Sequence, residues 1–517
     1  MFIDSKVRVN IIYINMSKKY FLAVFCAYVM GGWSLSVAGQ ERKPVPMPTV
    51  CTDTLVKHVM ELSSEGYQGR MAGSEGYDMA LRYVKRVLSS YGVEELTEQQ
   101  FSVECNEVEN CKFNVYRPGM KEKRVFTLGN EFCCAGMTGR GYVDAQMVFC
   151  GYGVDARQHD EYKGVDVKGK VAVVLTGLPD GHALPRKVAE QYMTLRDKAR
   201  AAERHGAIGL LVVNVSRSVS ANEPQGRVYC GELPHLATFP ILQLTLDCGR
   251  EIFEDEQMGL DSAIDAIASL RSVQSFSLRK KAEVDVNARY RPAAPTANVY
   301  GLLRGSDKSL AKEYIAVGAS LDGVGMQGET CLFPGADINA TGVAALLETA
   351  RVLSDPEYRP KRSVLFVIFG GGEHQFAGSR EFVASYPRQA RIEAFVGPQN
   401  IGYGDSLVVL GGGKYPTLYD IAANRDTLPG RHNVKQLVEQ DMPRGDARAF
   451  DAIGIPSLVL TTWNGMHYNH TTTDIWENID RRVMTMATQL MAETVAELGE
   501  GLYMGRSPKS KIVRSEK

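Results

Sequence analysis

A chain of 517 residues, 44% hydrophobic and 23% charged, is too long for one core and implies two or more domains. Its formal net charge of −1 provides no general attraction to polyanions, so neither nucleic acid nor an anionic membrane surface is expected as a partner. The short basic tail, residues 501–517, reads as a solvated terminus.

In chain order, Lys18 and Lys19 precede an apolar run from Tyr20 to Met30, then Gly31-Gly32-Trp33 and small residues ending Ser36-Val37-Ala38-Gly39. A basic region, an apolar region and a small-residue site make a secretory signal peptide over residues 1–39, with Met16 the better start. The expected destination is periplasmic, outer-surface or secreted. The apolar run is short for a membrane anchor, and no later stretch is long enough to span a bilayer. Of the ten cysteines, Cys105 and Cys111 form the most plausible local pair in an exported chain.

After a spacer with Pro44, Pro46 and Pro48, Thr52 to Leu62 has helical spacing. Ser74 is placed to cap a helix running to Ser90, closed by Gly92. From about Gly129 to Phe276 the pattern changes to short β-runs: Tyr142–Tyr152, Lys170–Thr176, Ile208–Val213 and Phe239–Leu244. A single amphipathic helix, Gln191–His205, sits among them. The α/β pattern then returns. Tyr314 to Ala319 reads as a buried strand, followed by a Gly-rich loop and an amphipathic helix opening near Thr341, with Val343, Leu346, Leu347, Ala350 and Leu353 on one face. Ser363–Phe369 is continuously apolar, as a central strand covered on both faces should be. A helix near Gly378–Tyr386, strands at Ile392–Gly397, Leu407–Leu410 and Pro456–Thr461, and a terminal helix from Asp480 to Leu498 complete the pattern.

Several strings in this pattern resemble the di-zinc aminopeptidases, metallopeptidase family twenty-eight, within the transferrin-receptor-like superfamily. They are Gly69-Arg70-Met71-Ala72-Gly73-Ser74, Gly318-Ala319-Ser320-Leu321-Asp322, Gly335-Ala336-Asp337-Ile338-Asn339-Ala340-Thr341-Gly342, Gly372 to Ser379, and His470 to Asn478. The strings VFCGYGV, YKGVDVKGKVAVVL and RAAERHGAIGLLVV resemble a protease-associated domain. The resemblance implies an α/β fold: a mixed-sheet aminopeptidase-like sandwich with helices on both faces and an inserted, mainly-β protease-associated domain. The implied division is 49–128 and 281–500 for the peptidase-like part and 129–280 for the insert. Either the insert covers the cleft or it is a structural lid without chemistry.

The resemblance also implies a site, and the residues depart from it. A two-metal hydrolase needs one carboxylate bridging two cations, further His or carboxylate ligands, and a carboxylate base for the bound water. The family's first His falls on Ser320, its bridging Asp on Ile338 and another Asp ligand on Gln399. Gly372 occupies the general-base position. Glu373 and His470 fall on retained ligand positions, and Asp322 on the position that orients the missing His. A one-residue slip would instead make Glu373 the base and His374 a ligand; Asp337, His374 and His467 are candidate substitutes in a relocated single-metal site. Alternatively, Glu373 and His470 bond to each other without a metal. The family's Ser-Asp-His string falls on Gly445-Asp446-Ala447, so that His is lost too. These losses argue against a zinc cofactor. They favour a non-catalytic homologue that binds peptides or a protein partner, as the transferrin-receptor ectodomain acts within the superfamily. The alternative is an aminopeptidase with a rearranged or single zinc. Homodimerisation is left open.

Overall fold

A computed structural model describes residues 49–157, 159–179, 184–215, 221–228, 234–270, 274–386, 391–426 and 442–505. The leader read at 1–39, the proline spacer and the basic end of the tail lie outside these residues.

One 15-stranded mixed sheet runs through the chain. Its peptidase-like end has the order Leu407–Leu410, Ser457–Thr462, Arg391–Pro398, Glu313–Ser320, Ser363–Phe369, and then the long strand Ser275–Leu303. The middle three neighbours pair in parallel: Glu313–Ser320 lies between Ser363–Phe369 and Arg391–Pro398. Every residue of Ser363–Phe369 is buried, in keeping with its unbroken apolar run. Leu365, Val367 and Phe369 point into an aromatic layer with Phe382, Phe395 and Phe450, formed with helices Ala377–Ser385 and Ala447–Ala452. Helices Gly342–Ser354 and Arg481–Gly499 pack against the same strands, and Thr52–Leu62 packs on those two helices.

The helix after the Gly-rich loop departs from its amphipathic reading. In Gly342–Ser354 the opposite face is buried too, including Ala344, Ala345, Glu348, Thr349 and Val352. Other helices cover the side that the pattern leaves to water, and Arg351 pairs with the buried Glu348 carboxylate.

The insert end repeats the parallel logic: Gly141–Cys150, Val171–Leu175, Gly209–Val213 and Ile241–Leu244 lie in parallel order, with Phe132–Cys134 antiparallel at the edge. Two long antiparallel strands, Glu94–Tyr116 and Ser275–Leu303, join the two ends. The N-terminal part of the second pairs with Gly141–Cys150 of the insert, and its last five residues pair with Ser363–Phe369.

Three details correct the sequence reading. The single helix expected over Gln191–His205 is two, Arg186–Tyr192 and Leu195–Arg204; the Thr194 hydroxyl caps the second by accepting from Asp197 N, which breaks the run. Two further helices, Leu246–Phe253 and Leu260–Leu270, follow the insert's last strand. Cys105 and Cys111 are both free thiols. They lie on one extended strand, where a six-residue separation is about 20 Å, far beyond disulfide reach.

Candidate functional site

The loops at the carboxyl ends of the parallel strands are shaped by buried groups that bond main chain. Arg70, fully buried, donates from Nε to the Leu321 carbonyl and from its terminal nitrogens to the carbonyls of Leu62, Pro334 and Gly335. One guanidinium therefore ties both Gly-rich motifs together. Asp474 accepts from the backbone N–H groups of Asp337 (2.7 Å) and Ile338 (3.1 Å), fixing the turn Ala336–Thr341, where the Ile338–Asn339 peptide is cis. Asp322 accepts from Gly372 N (2.7 Å) and Glu373 N (3.1 Å). Asn298 accepts from Gly370 N and donates to the Gly378 carbonyl, holding the other side of that turn.

These loops surround a cavity of about 990 Å³. Ser320, Ile338, Gly372, Glu373, Gln399 and His470 all line it, although they come from five separate stretches of sequence. Its apolar wall is made by Phe395, Val408, Leu410 and Val459, and Trp463, Met466 and His467 stand at the wall where the chain is exposed. Such a volume, mostly apolar with a few convergent polar groups, suits a small-molecule or peptide site.

Within the cavity, His470 Nε2 lies 2.8 Å from Glu373 Oε2. Burial pushes the Glu373 carboxyl up, but His470, His374 and the Asn339 amide outweigh it and hold it below its ordinary range. Asn339 Nδ2 lies 3.4 Å from Glu373 Oε1. Ser320 donates to Asp446 Oδ2 at 2.7 Å, and burial pushes that carboxyl up to about 6. At Gly372 a Cβ atom would fall 2.4 Å from Ser320 Oγ, so Ser320 fills the space beside the base position.

Two of the three candidate substitutes, Asp337 and His374, are turned elsewhere, whereas His467 lines the cavity. Asp337 accepts from Gly402 N at 2.7 Å and from the Thr341 hydroxyl, and burial with Asp474 nearby drives its carboxyl well up. His374 Nε2 lies 2.6 Å from the Glu104 carbonyl, and burial lowers its pKa. Neither lines the cavity. Asp322 is fully buried behind it, its carboxyl pushed up to about 8 by burial and by Glu373. Among the described residues, the one trio of ligand-type side chains close enough to hold a metal ion is Asp155, Asp160 and His205, in the insert. There Arg204 already pairs with Asp155 at 2.8 Å.

The structure adds residues that sequence matching passed over. Asp446 was noted only as a neighbour of a lost His, because its partner Ser320 is 126 positions away. Trp463 and Met466 lie outside any recognised string, and only their exposure beside a cavity singles them out.

The family model for Peptidase family M28 matches residues 298–495, and that for the PA domain matches 142–246. The chain therefore carries a region of peptidase family M28 together with an inserted PA domain. Transferrin receptor protein 2 of Homo sapiens is 23% identical over 419 residues, covering 70% of this chain and 49% of its own. The chain thus spans about half the length of that curated relative. A zinc aminopeptidase from Bacillus subtilis superposes with a TM-score of 0.62 at 17% identity, covering 90% of this chain and 98% of that one. An aminopeptidase from Aneurinibacillus sp. strain AM-1 gives 0.58 at 22%, covering 87% and 94%. These likenesses show the aminopeptidase fold.

Proposed function

We propose that this M28 homologue is a non-catalytic, exported protein that holds a peptide-like ligand in its cleft. The observation that carries this reading is the closure of Glu373 on His470, at 2.8 Å, beside Ile338 and Gln399. The donor set does not fit a pair of zinc ions. Ile338 offers no donor atom at the bridging position, Gln399 is neutral, and the Asp337 carboxylate is spent on Gly402 N and Thr341. The base position is a glycine whose neighbouring space Ser320 fills. What remains is a cleft with carboxylates at Glu373 and Asp446, side-chain amides at Gln399 and Asn339, and an apolar wall. Hydrogen-bonding groups of these kinds recognise peptide backbone, while the wall takes an apolar side chain.

Location outside the cytoplasm rests on the leader at residues 16–39 and is part of this proposal. Among the described residues no helix is long and apolar enough to cross a membrane.

The test is metal content of the purified protein by elemental analysis after dialysis against trace zinc, with a panel of short peptides titrated against Trp463 fluorescence. Zinc far below one per chain, no aminoacyl hydrolysis, and saturable peptide quenching are expected. About one zinc per chain, lost in His470→Ala together with hydrolysis of aminoacyl substrates, would overturn the proposal in favour of a single-metal aminopeptidase using His467 or another neighbour.

A further inference from the structure

The insert reaches the loops of both members of the Glu373–His470 pair, contacting His470 directly and the Glu373 turn through Glu104. On one side, residues 221–228 of the insert run against the loop that carries His470. Gly226 N donates to the His470 carbonyl at 2.8 Å, and Gln225 forms an antiparallel bridge with Thr471. Thr473 Oγ1 donates to Glu223 Oε2 at 2.6 Å, and Thr472 Oγ1 donates to the Gly129 carbonyl at 3.2 Å. The same segment is anchored in the insert's own core. Gln243, on the buried strand Ile241–Leu244, donates to the Gln225 carbonyl at 2.6 Å, and Leu246 N donates to the Ala221 carbonyl at 2.7 Å. Gly226 sits so close to Phe333 that a Cβ atom would fall 2.8 Å from its ring, so only glycine lets the segment approach this far.

On the other side, Glu104 links the insert to the turn carrying Glu373. Its carboxylate lies 3.3 Å from Arg196, on the insert helix Leu195–Arg204, and accepts from the Tyr290 hydroxyl at 3.1 Å. Its backbone carbonyl is the partner of His374, the residue after Glu373. His235 of the insert stacks on Tyr290 with ring centroids 4.0 Å apart.

His470 has a left-handed backbone, with φ at +61°. A residue with a side chain holds that conformation only where its surroundings fix it, and the bond from Gly226 N, with the Gln225–Thr471 bridge beside it, supplies those surroundings. We infer that Glu223, Gln225 and Gly226, with Arg196 on the far side, are positioning residues that set the His470 and Glu373 loops, making the insert a two-point clamp on the cleft rather than a passive cover. A ligand or partner that shifted the insert would change the cleft through these contacts, which gives the pair of loops a physical route of regulation.

The inference does not depend on what the cleft binds, and its test uses no ligand. Amide hydrogen exchange of residues 467–474 is followed in the full chain, with the global unfolding midpoint recorded alongside. In Glu223→Ala with Thr473→Val, which removes the half-buried bonds of the Thr473 hydroxyl to Glu223 and to Thr471, exchange of this stretch is expected to quicken about tenfold, while the midpoint stays near that of the parent. Glu223→Gln with Thr473→Ser keeps an acceptor and a donor and restores slow exchange. Pairing Gln225→Cys with Thr471→Cys, at directly opposed positions, slows exchange below the parent once oxidised. Unchanged exchange in the Ala/Val chain, or equal loosening in the Gln/Ser chain, would overturn the clamp. Either result leaves the peptide-binding proposal standing on its own test.

Discussion

Two groups of residues meet at the cleft, and they differ in how far they follow the family's pattern. Arg70, Asp322, Asn298 and Asp474 bond backbone, and each keeps its partners: four carbonyls for Arg70 and two N–H groups apiece for Asp322 and Asp474. Ser320, Ile338, Gly372 and Gln399 face the cavity, where the family's chemistry would sit, and none offers a charged ligand. Loop shape and loop chemistry are therefore encoded separately. A buried group that satisfies main chain cannot change without stranding several polar atoms, whereas a side chain facing a water-accessible cavity can. Under the proposed function, this is how the chain keeps the family's loop outline while its cavity-facing positions change.

The sharpest way to break the comparison is to attack the supporting group. Arg70→Met leaves four buried carbonyls without their donor, and should cost at least about 4 kcal/mol in urea unfolding. A loss near zero would mean that the motif loops hold their shape unaided.

A smaller effect tests whether the cavity-facing positions are interlocked. Gly372→Ala puts a Cβ against Ser320 Oγ, and should destabilise by about 1–2 kcal/mol. Adding Ser320→Gly should recover most of that loss, because it removes the atom that blocks the space. An additive double variant would show that the two positions are independent.

The smallest effect is a pH slope. Burial raises the folded Asp446 carboxyl to about 6 from an ordinary value near 3.8. Between about pH 4 and 6 the folded chain therefore keeps a proton that the unfolded chain has lost, and stability falls as pH rises through that window. Asp446→Asn should flatten the slope by about 1 kcal/mol per pH unit across it, read from unfolding midpoints at several pH values. A slope that survives the substitution belongs to other buried carboxyls.

Much of the peptidase-like end was legible because its signals are local. The apolar run Ser363–Phe369, the Ser74 cap and the terminal helix can each be read within a short stretch, and each stands where its pattern puts it to within a residue. The antiparallel ribbon formed by Glu94–Tyr116 and Ser275–Leu303 was not legible. Over much of Glu94–Tyr116 exposed and half-buried positions outnumber buried ones, so no strong two-residue alternation marks it as a strand. In the cleft, residue matching located the positions but could not reveal the Ser320–Asp446 bond, the turning away of His374, or the approach of residues 221–228 to His470, since each joins distant parts of the chain.

The ribbon also bears on how the protein could be taken apart. Glu94–Tyr116 and Ser275–Leu303 are hydrogen-bonded to each other from Glu94↔Leu302 to Tyr116↔Lys281, and the second strand is shared by both ends of the sheet. A PA domain hung on two loose linkers could be excised like a cassette. Here any cut through the ribbon would leave raw strand edges on both fragments, open to pairing with another chain. Deletion of the insert would therefore yield a sticky, aggregation-prone remnant rather than a trimmed peptidase fold, and a useful truncation would have to redesign the ribbon's exposed edge first.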